Sequence, residues 1–159
     1  MKILVFSDSH GNGKNIKNAL EIHGGVCDLV IFLGDGIKDI EYIKEKYPDI
    51  TFYIVKGNCD LFQGGYQGTS VLDLDGIRVL ITHGHLYNAK YGYERLVYAA
   101  LENEADAVFF GHTHIPTDEI VDCGEKRVHL FNPGSIGHGG TYGVINTSGK
   151  ILVSSHGKI

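Results

Sequence analysis

Lys2-Ile3-Leu4-Val5-Phe6-Ser7-Asp8-Ser9-His10-Gly11 is an apolar run that stops in a polar loop ending in glycine. Continuous apolar character from Ile3 to Phe6 suits a strand covered on both faces, as in a parallel sheet. The same pattern returns along the chain. Leu29–Leu33 stops at Gly34-Asp35-Gly36, and Phe52–Val55 stops near Gly57-Asn58. Val79–Ile81 runs into His83-Gly84, and Ala107–Phe110 into Gly111-His112-Thr113-His114. Strands that end on one edge would bring Asp8, His10, Asp35, Asn58, His83, His112 and His114 to one rim. Carboxylates, imidazoles and an amide converging there form a donor set for a pair of divalent cations.

The segments between these runs carry helical spacing. Ile16, Ala19 and Leu20 predict a helix over Asn12 to His23. Ile40, Ile43 and Tyr47 predict another over Ile37 to Tyr47, ended by Pro48. With strands at Lys2–Phe6, Leu29–Leu33 and Thr51–Val55, the βαβαβ order predicts parallel strands joined by right-handed crossovers. Asp75-Gly76 between Ser70–Leu74 and Ile77–Thr82 is a hairpin signal. A third helix is expected over Tyr91 to Glu104, with Val97, Ala100 and Leu101 inward. The tail reads as antiparallel strands near Glu119–Asp122, Arg127–Phe131, Tyr142–Asn146 and Lys150–Ser154. The expected architecture is α/β: a parallel-rich sheet packed on an antiparallel-rich sheet, with helices outside.

The chain has 159 residues and no internal boundary in composition, so one domain over residues 1–159 is expected. Apolar content of 43% and charged content of 21% are those of ordinary globular proteins. A net charge of −5, with no basic aromatic stripe, argues against a stable nucleic-acid complex. A phosphate-bearing substrate stays open, because bound cations reverse the local sign. The start shows no signal-peptide pattern, and no stretch is long and apolar enough to span a bilayer. Cys27, Cys59 and Cys123 form neither a CxxC zinc pattern nor a disulfide framework, which fits the cytoplasm.

Each polar residue has a plain structural reading on its own. Asp8 suits a helix cap, Asp35 a turn between glycines, and His83 a surface position. Their joint occurrence at successive strand ends is what points to metal chemistry. The two oxygens of Asp35 can serve two cations. Asp8 and His10, two residues apart, can reach one cation, and His112 and His114 can reach neighbouring ones.

Asp8-Ser9-His10-Gly11, Gly34-Asp35, Gly57-Asn58-Cys59-Asp60, Thr82-His83-Gly84-His85 and Gly111-His112-Thr113-His114 resemble the five-part signature of calcineurin-like metallophosphoesterases. The short chain and Asn132-Pro133-Gly134-Ser135 are similar to the small YfcE-type phosphodiesterase branch. The resemblance implies a four-layer α/β/β/α sandwich of two mixed sheets with flanking helices. It implies one cation held by Asp8, His10, Asp35 and His114, and a second held by Asp35, Asn58, His83 and His112. Mn²⁺ comes first among the candidate metals, with Ni²⁺, Fe or Zn²⁺ as alternatives. A bridging water or hydroxide would attack a small phosphodiester, with Asp35, Asn58 and His85 as the catalytic candidates.

Many members of this superfamily have a histidine after the motif's asparagine, acting on the leaving group; here Cys59 stands there. It is expected to be a mostly buried filler, not a nucleophile. Asp60 reads as an anchor for the ligands or as a cap. His85 reads either as a support for the ligands or as a contact to phosphate. His23, His129, His138 and His156 are given no role. The loops Asp60–Thr69 and Gly137–Gly140 are expected to wall the pocket, and Asn132–Ser135 either borders the site or simply turns. Two other functions stay open: a protein-interaction scaffold on the same fold, and a phosphomonoesterase or nuclease. The oligomeric state stays open too, a homodimer included.

Overall fold

Ile3, Leu4, Val5 and Phe6 are all fully buried, so the first strand is covered on both faces. The computed structural model describes residues 1–159. One sheet contains β1 (Lys2–Phe6), β2 (Leu29–Phe32), β3 (Thr51–Ile54), β9 (Thr141–Ser148) and β10 (Ile151–Lys158). Its order is β10-β9-β1-β2-β3. The second sheet contains β4 (Thr69–Leu74), β5 (Ile77–Thr82), β6 (Ala107–Phe109), β7 (Thr117–Asp122) and β8 (Arg127–Asn132). Its order is β4-β5-β6-β8-β7. Two helices, α1 (Gly13–Ile22) and α2 (Ile37–Lys46), follow β1 and β2, and α3 (Glu94–Glu102) precedes β6.

Three apolar layers hold the elements together. Ile3, Val5, Ile31, Val79, Ile81, Phe109 and Phe131 form the layer between the sheets. Leu4, Phe6 and Phe32, on the opposite face of the first sheet, pack with Ile16, Leu20 and Ile40 of α1 and α2. Leu80, Val108 and Leu130 pack with Leu96, Ala99 and Ala100 of α3. The result is the four-layer α/β/β/α sandwich. Period-two alternation explains the layering: neighbours such as Leu4 and Val5 point to opposite faces, and both faces are covered. No helix is long and apolar enough to cross a membrane.

Three expectations need correction. The sheets do not divide into parallel-rich and antiparallel-rich. Each has two parallel and two antiparallel pairings, because β8 runs parallel to β6 while β9 and β10 return to the first sheet. The tail strands do pair antiparallel, β7 with β8 and β9 with β10, but the two pairs lie in different sheets. The third helix is shorter than Tyr91 to Glu104, since short 3-10 turns occupy His85–Tyr87 and Ala89–Tyr91. Its inward face is Leu96, Ala99 and Ala100, while Leu101 is 37% exposed. In a helix this short, adjacent apolar residues allow either of two faces, and packing on Phe110 and Val128 selects one. The Asp75-Gly76 hairpin holds, with Leu74 paired to Ile77. Both turn residues have positive φ, 55° and 81°, as a type I′ turn requires.

Candidate metal centre

The parallel pairing of β1, β2 and β3 puts the loops bearing Asp8, Asp35 and Asn58 at one sheet edge. The parallel β5 and β6 do the same for His83, His112 and His114 in the other sheet. Asp8, His10, Asp35, His112 and His114 all adopt left-handed backbone, with φ between 46° and 67°. That conformation is uncommon outside glycine and costs on the order of 1 kcal/mol per residue. Five such residues at one rim mark a place where local backbone preference has yielded to side-chain placement. Glycines make room for the approach. A Cβ on Gly34 would lie 2.4 Å from the Gly57 nitrogen, and one on Gly57 would lie 2.1 Å from Asp35 Oδ1.

Asp8 is fully buried. Its Oδ2 accepts from the Ser7 hydroxyl (2.6 Å) and from the His112 N–H (3.0 Å). Its Oδ1 is left facing His114 Nε2 at 3.0 Å, His10 Nε2 at 3.6 Å and His83 Nε2 at 3.9 Å. Asp35 is arranged alike: Oδ1 accepts from the Cys59 N–H (2.8 Å), while Oδ2 faces His83 Nε2 at 3.4 Å and His10 Nε2 at 3.9 Å. One carboxylate oxygen of each pair is thus tied to the protein and the other is presented to the imidazoles. His10 and His114 approach each other at 3.3 Å between their Nε2 atoms. Donor atoms of Asp35, His83 and His112 lie within 4.8 Å of one another.

The donor set suits divalent cations. No lysine or arginine pairs with Asp8 or Asp35; their charged neighbours are histidines alone. Two buried carboxylates without a fixed counter-charge are costly. His83 Nδ1–H donates to the Leu33 carbonyl (2.7 Å), which fixes the ring and turns Nε2 toward both carboxylates. That Nε2 is buried and has no hydrogen-bond partner. A cation there would answer the unpaired nitrogen and the two carboxylate oxygens that face it together. Burial opposes the Asp35 charge, but the adjacent His83 and the Cys59 N–H outweigh it and hold the carboxyl well below the usual range. His112 is pushed down to about 4, by burial first and by the nearby His83 charge second. Its imidazole is therefore neutral and free to donate a lone pair at pH 7.

Six of the seven candidate ligands converge in this way. Asn58 stands beside them at the rim, its amide nitrogen donating to Cys59 Sγ at 3.4 Å. Cys59 itself is exposed at the rim, so it is not the buried filler expected of it. Its thiol lies within 4.8 Å of donor atoms on His10 and Asp35. Asp60 is both anchor and cap. Oδ2 accepts from the N–H groups of Asp35 (2.7 Å) and Gly57 (2.9 Å), and Oδ1 from those of Gly36 (3.0 Å) and Ile37 (3.1 Å). It caps α2 from a distant loop, where the local N-cap residue Gly36 has no side chain to do so.

His85 packs against His83, ring centroids 5.3 Å apart, and its Nδ1 is buried without a partner. Asn132 supports the rim: its Nδ2 donates to the Gly111 carbonyl and to Thr113 Oγ1, each at 3.0 Å. A cavity of about 330 Å³ opens beside His10 and Asp35, with Lys38, Cys59, Phe62 and Gln63 in its wall. His23, His129 and His156 lie elsewhere, bonded to Tyr142, Asp118 and the Asn132 carbonyl. His138 is different. It sits among the candidate ligands, although no role was expected for it. Its glycine-flanked position beside the Asn132–Ser135 turn was the one signal that could have found it.

Comparison with known proteins agrees with this fold. The profile of the Calcineurin-like phosphoesterase superfamily domain matches residues 1–150. The chain is 34% identical to a probable metallophosphoesterase, YsnB, of Bacillus subtilis (strain 168), over 86% of this chain and 75% of that protein. It is 31% identical to the phosphodiesterase YfcE of Escherichia coli (strain K12), covering 92% and 88% of the two chains. A crystal structure from Streptococcus pneumoniae TIGR4, described as a predicted phosphoesterase, superposes with a TM-score of 0.80 at 27% identity, covering 99% of this chain and 88% of that one. Sandwich, strand-end carboxylates and imidazoles, and sequence profile lead to one assignment: the chain belongs to the calcineurin-like phosphoesterase superfamily.

Proposed function

We propose that the chain is a metal-dependent phosphodiesterase that works at a two-cation centre and acts on a small phosphodiester. The observation carrying this reading is the pair of buried carboxylates, Asp8 and Asp35, each of which turns one oxygen toward a space ringed by imidazole nitrogens. Asp8, His10, Asp35 and His114 would hold one cation. Asp35, Asn58, His83 and His112 would hold the other, Asn58 through its amide oxygen. When bound, such cations supply Lewis acidity that neutralises phosphate charge and activates water near neutral pH.

The chain's own groups do the positioning. The Leu33 carbonyl holds the His83 ring, and Ser7 and the His112 N–H hold Asp8. Phe62, 95% exposed at the cavity wall, offers an aromatic face to a substituent of the ester. The oxygen and imidazole donors accept Mn²⁺, Fe, Ni²⁺ or Zn²⁺. The unpaired thiols fit a reducing cytoplasm. Metal analysis after reconstitution should find two divalent cations per chain, and a chelator should abolish hydrolysis of a nitrophenyl phosphodiester. One bound ion, or turnover untouched by the chelator, would reject the two-cation reading.

Cys59 predicts a second property. Partial burial, then the hydrogen bond and charge of Asp35, push its thiol up to about 11. Such a thiol is a poor proton donor at pH 7, and an imidazole acid at that place is typically worth about 10²–10⁴-fold. Nitrophenyl diesters should therefore outpace alkyl diesters by about that factor beyond their difference in water. Cys59→His should narrow the gap, most visibly for poor leaving groups. A flat dependence of rate on leaving-group pKa in the natural chain would mean that another acid already protonates the departing oxygen.

A further inference from the structure

The turn carrying His138 is built onto the loop carrying Asp8 and His10. Ile136 N–H donates to the Ser7 carbonyl and Gly137 N–H to the Asp8 carbonyl, both at 3.1 Å. The Ser135 hydroxyl donates to the same Asp8 carbonyl at 2.9 Å. Gly137 lies so close that an added Cβ would stand 2.3 Å from the Ser9 carbonyl oxygen. His138 N–H then donates to Ser135 Oγ (3.0 Å), and Gly139 N–H to the Ser135 carbonyl (3.0 Å). These bonds fix where the His138 ring begins.

The ring stacks on His114 with centroids 5.2 Å apart and planes 21° apart. It meets His10 edge-on at 5.1 Å. Ring nitrogens of His10, His114 and His138 lie within 4.8 Å of one another. Imidazole donors bound at about 2.1 Å to one ion sit roughly 3–4 Å apart, so small ring rotations would let all three share a cation. The only hydrogen-bonding neighbour of the His138 ring is Ser135 Oγ, 3.4 Å from Nδ1, which leaves Nε2 free to bind.

We propose that His138 is a further ligand of the cation held by Asp8, His10 and His114. A third imidazole makes that position richer in nitrogen and shifts it toward Zn²⁺ or Ni²⁺ and away from Mn²⁺. The proposal rests on the metal-binding reading above. Its test uses the full chain stripped by chelator, alongside His138→Ala and His138→Gln. Competition titration with Zn²⁺ and with Mn²⁺ gives the affinities, and the Co²⁺ absorption spectrum reports the donor set.

Both variants should bind Zn²⁺ at least about 10–100-fold more weakly at one of the two positions, since loss of even a group that only supports a ligand costs that much. Mn²⁺ binding should change much less, the Co²⁺ bands should shift, and circular dichroism should stay as in the natural chain. Unchanged Zn²⁺ affinity and an unchanged Co²⁺ spectrum would overturn the proposal, whatever happens to turnover. A natural chain binding only one cation would reject the two-cation reading. It would leave this proposal standing if that ion's Co²⁺ spectrum still changed with His138.

Discussion

Asp35→Asn is expected to lower turnover by at least about 10³-fold, because on the proposed two-cation reading it removes the ligand common to both cations and forfeits several kcal/mol of transition-state stabilisation. Asp35 spends Oδ1 on the Cys59 N–H and presents Oδ2 to His83 and His10. An amide offers one weakly donating oxygen and an NH₂ group. If the NH₂ faces Cys59, two donors meet; if it faces inward, N–H groups point where a cation should sit. Circular dichroism should show the fold retained, while metal analysis should show fewer than two ions. His85→Ala, which leaves both carboxylates in place, should cost much less. Near-normal turnover in Asp35→Asn would show that Asp35 does not link the cations.

Asp60→Ala should have the largest effect on stability. Asp60 is 6% exposed and its two oxygens accept four backbone N–H bonds. Removing the carboxylate leaves those donors without an acceptor, and each unmet buried donor costs about 1–3 kcal/mol. The expected loss, read from a denaturant titration of the metal-free chain, is about 3 kcal/mol or more. Asp60→Asn should not rescue it, because its NH₂ would face two backbone donors. Metal affinity should fall as well, since the Asp35 loop loses its tether. A stability within about 0.5 kcal/mol of the natural chain would show that water takes over the bonds, as it does for ordinary surface groups.

The legible part of the sequence was the part governed by short-range pattern. Apolar runs ending in glycine located β1, β2, β5 and β6, and Asp75-Gly76 located the hairpin, because pleat and turn chemistry are local. The face of α3 was less legible, since Val97, Ala100 and Leu101 satisfy helical spacing as well as Leu96, Ala99 and Ala100 do. The destination of the tail strands was hidden as well: β9 pairs with β1 across nearly the whole chain, and no local signal reports that register. Around the centre, residues in the repeated strand-end motif were legible, but His138 was not. Its place depends on the Ser135 hydroxyl reaching the Asp8 carbonyl, 127 residues away in sequence. The exposure of Cys59 is hidden for a related reason, because residue type favours burial while its loop turns it to the rim.

The left-handed backbone at Asp8, His10, Asp35, His112 and His114 sets folding against chemistry over evolutionary time. At His10, His112 and His114 glycine is the substitution that relieves the backbone, by about 1 kcal/mol, and it removes the donor atom in the same step, whereas at Asp8 and Asp35 it would also strip the acceptor of the His112 and Cys59 N–H groups. Random change that favours a sturdier chain therefore runs toward loss of the centre. Only selection for activity opposes that drift. In a lineage released from catalysis, these turns are where stabilising changes are easiest to find. Decay of the site and a gain in robustness would then arrive as one event.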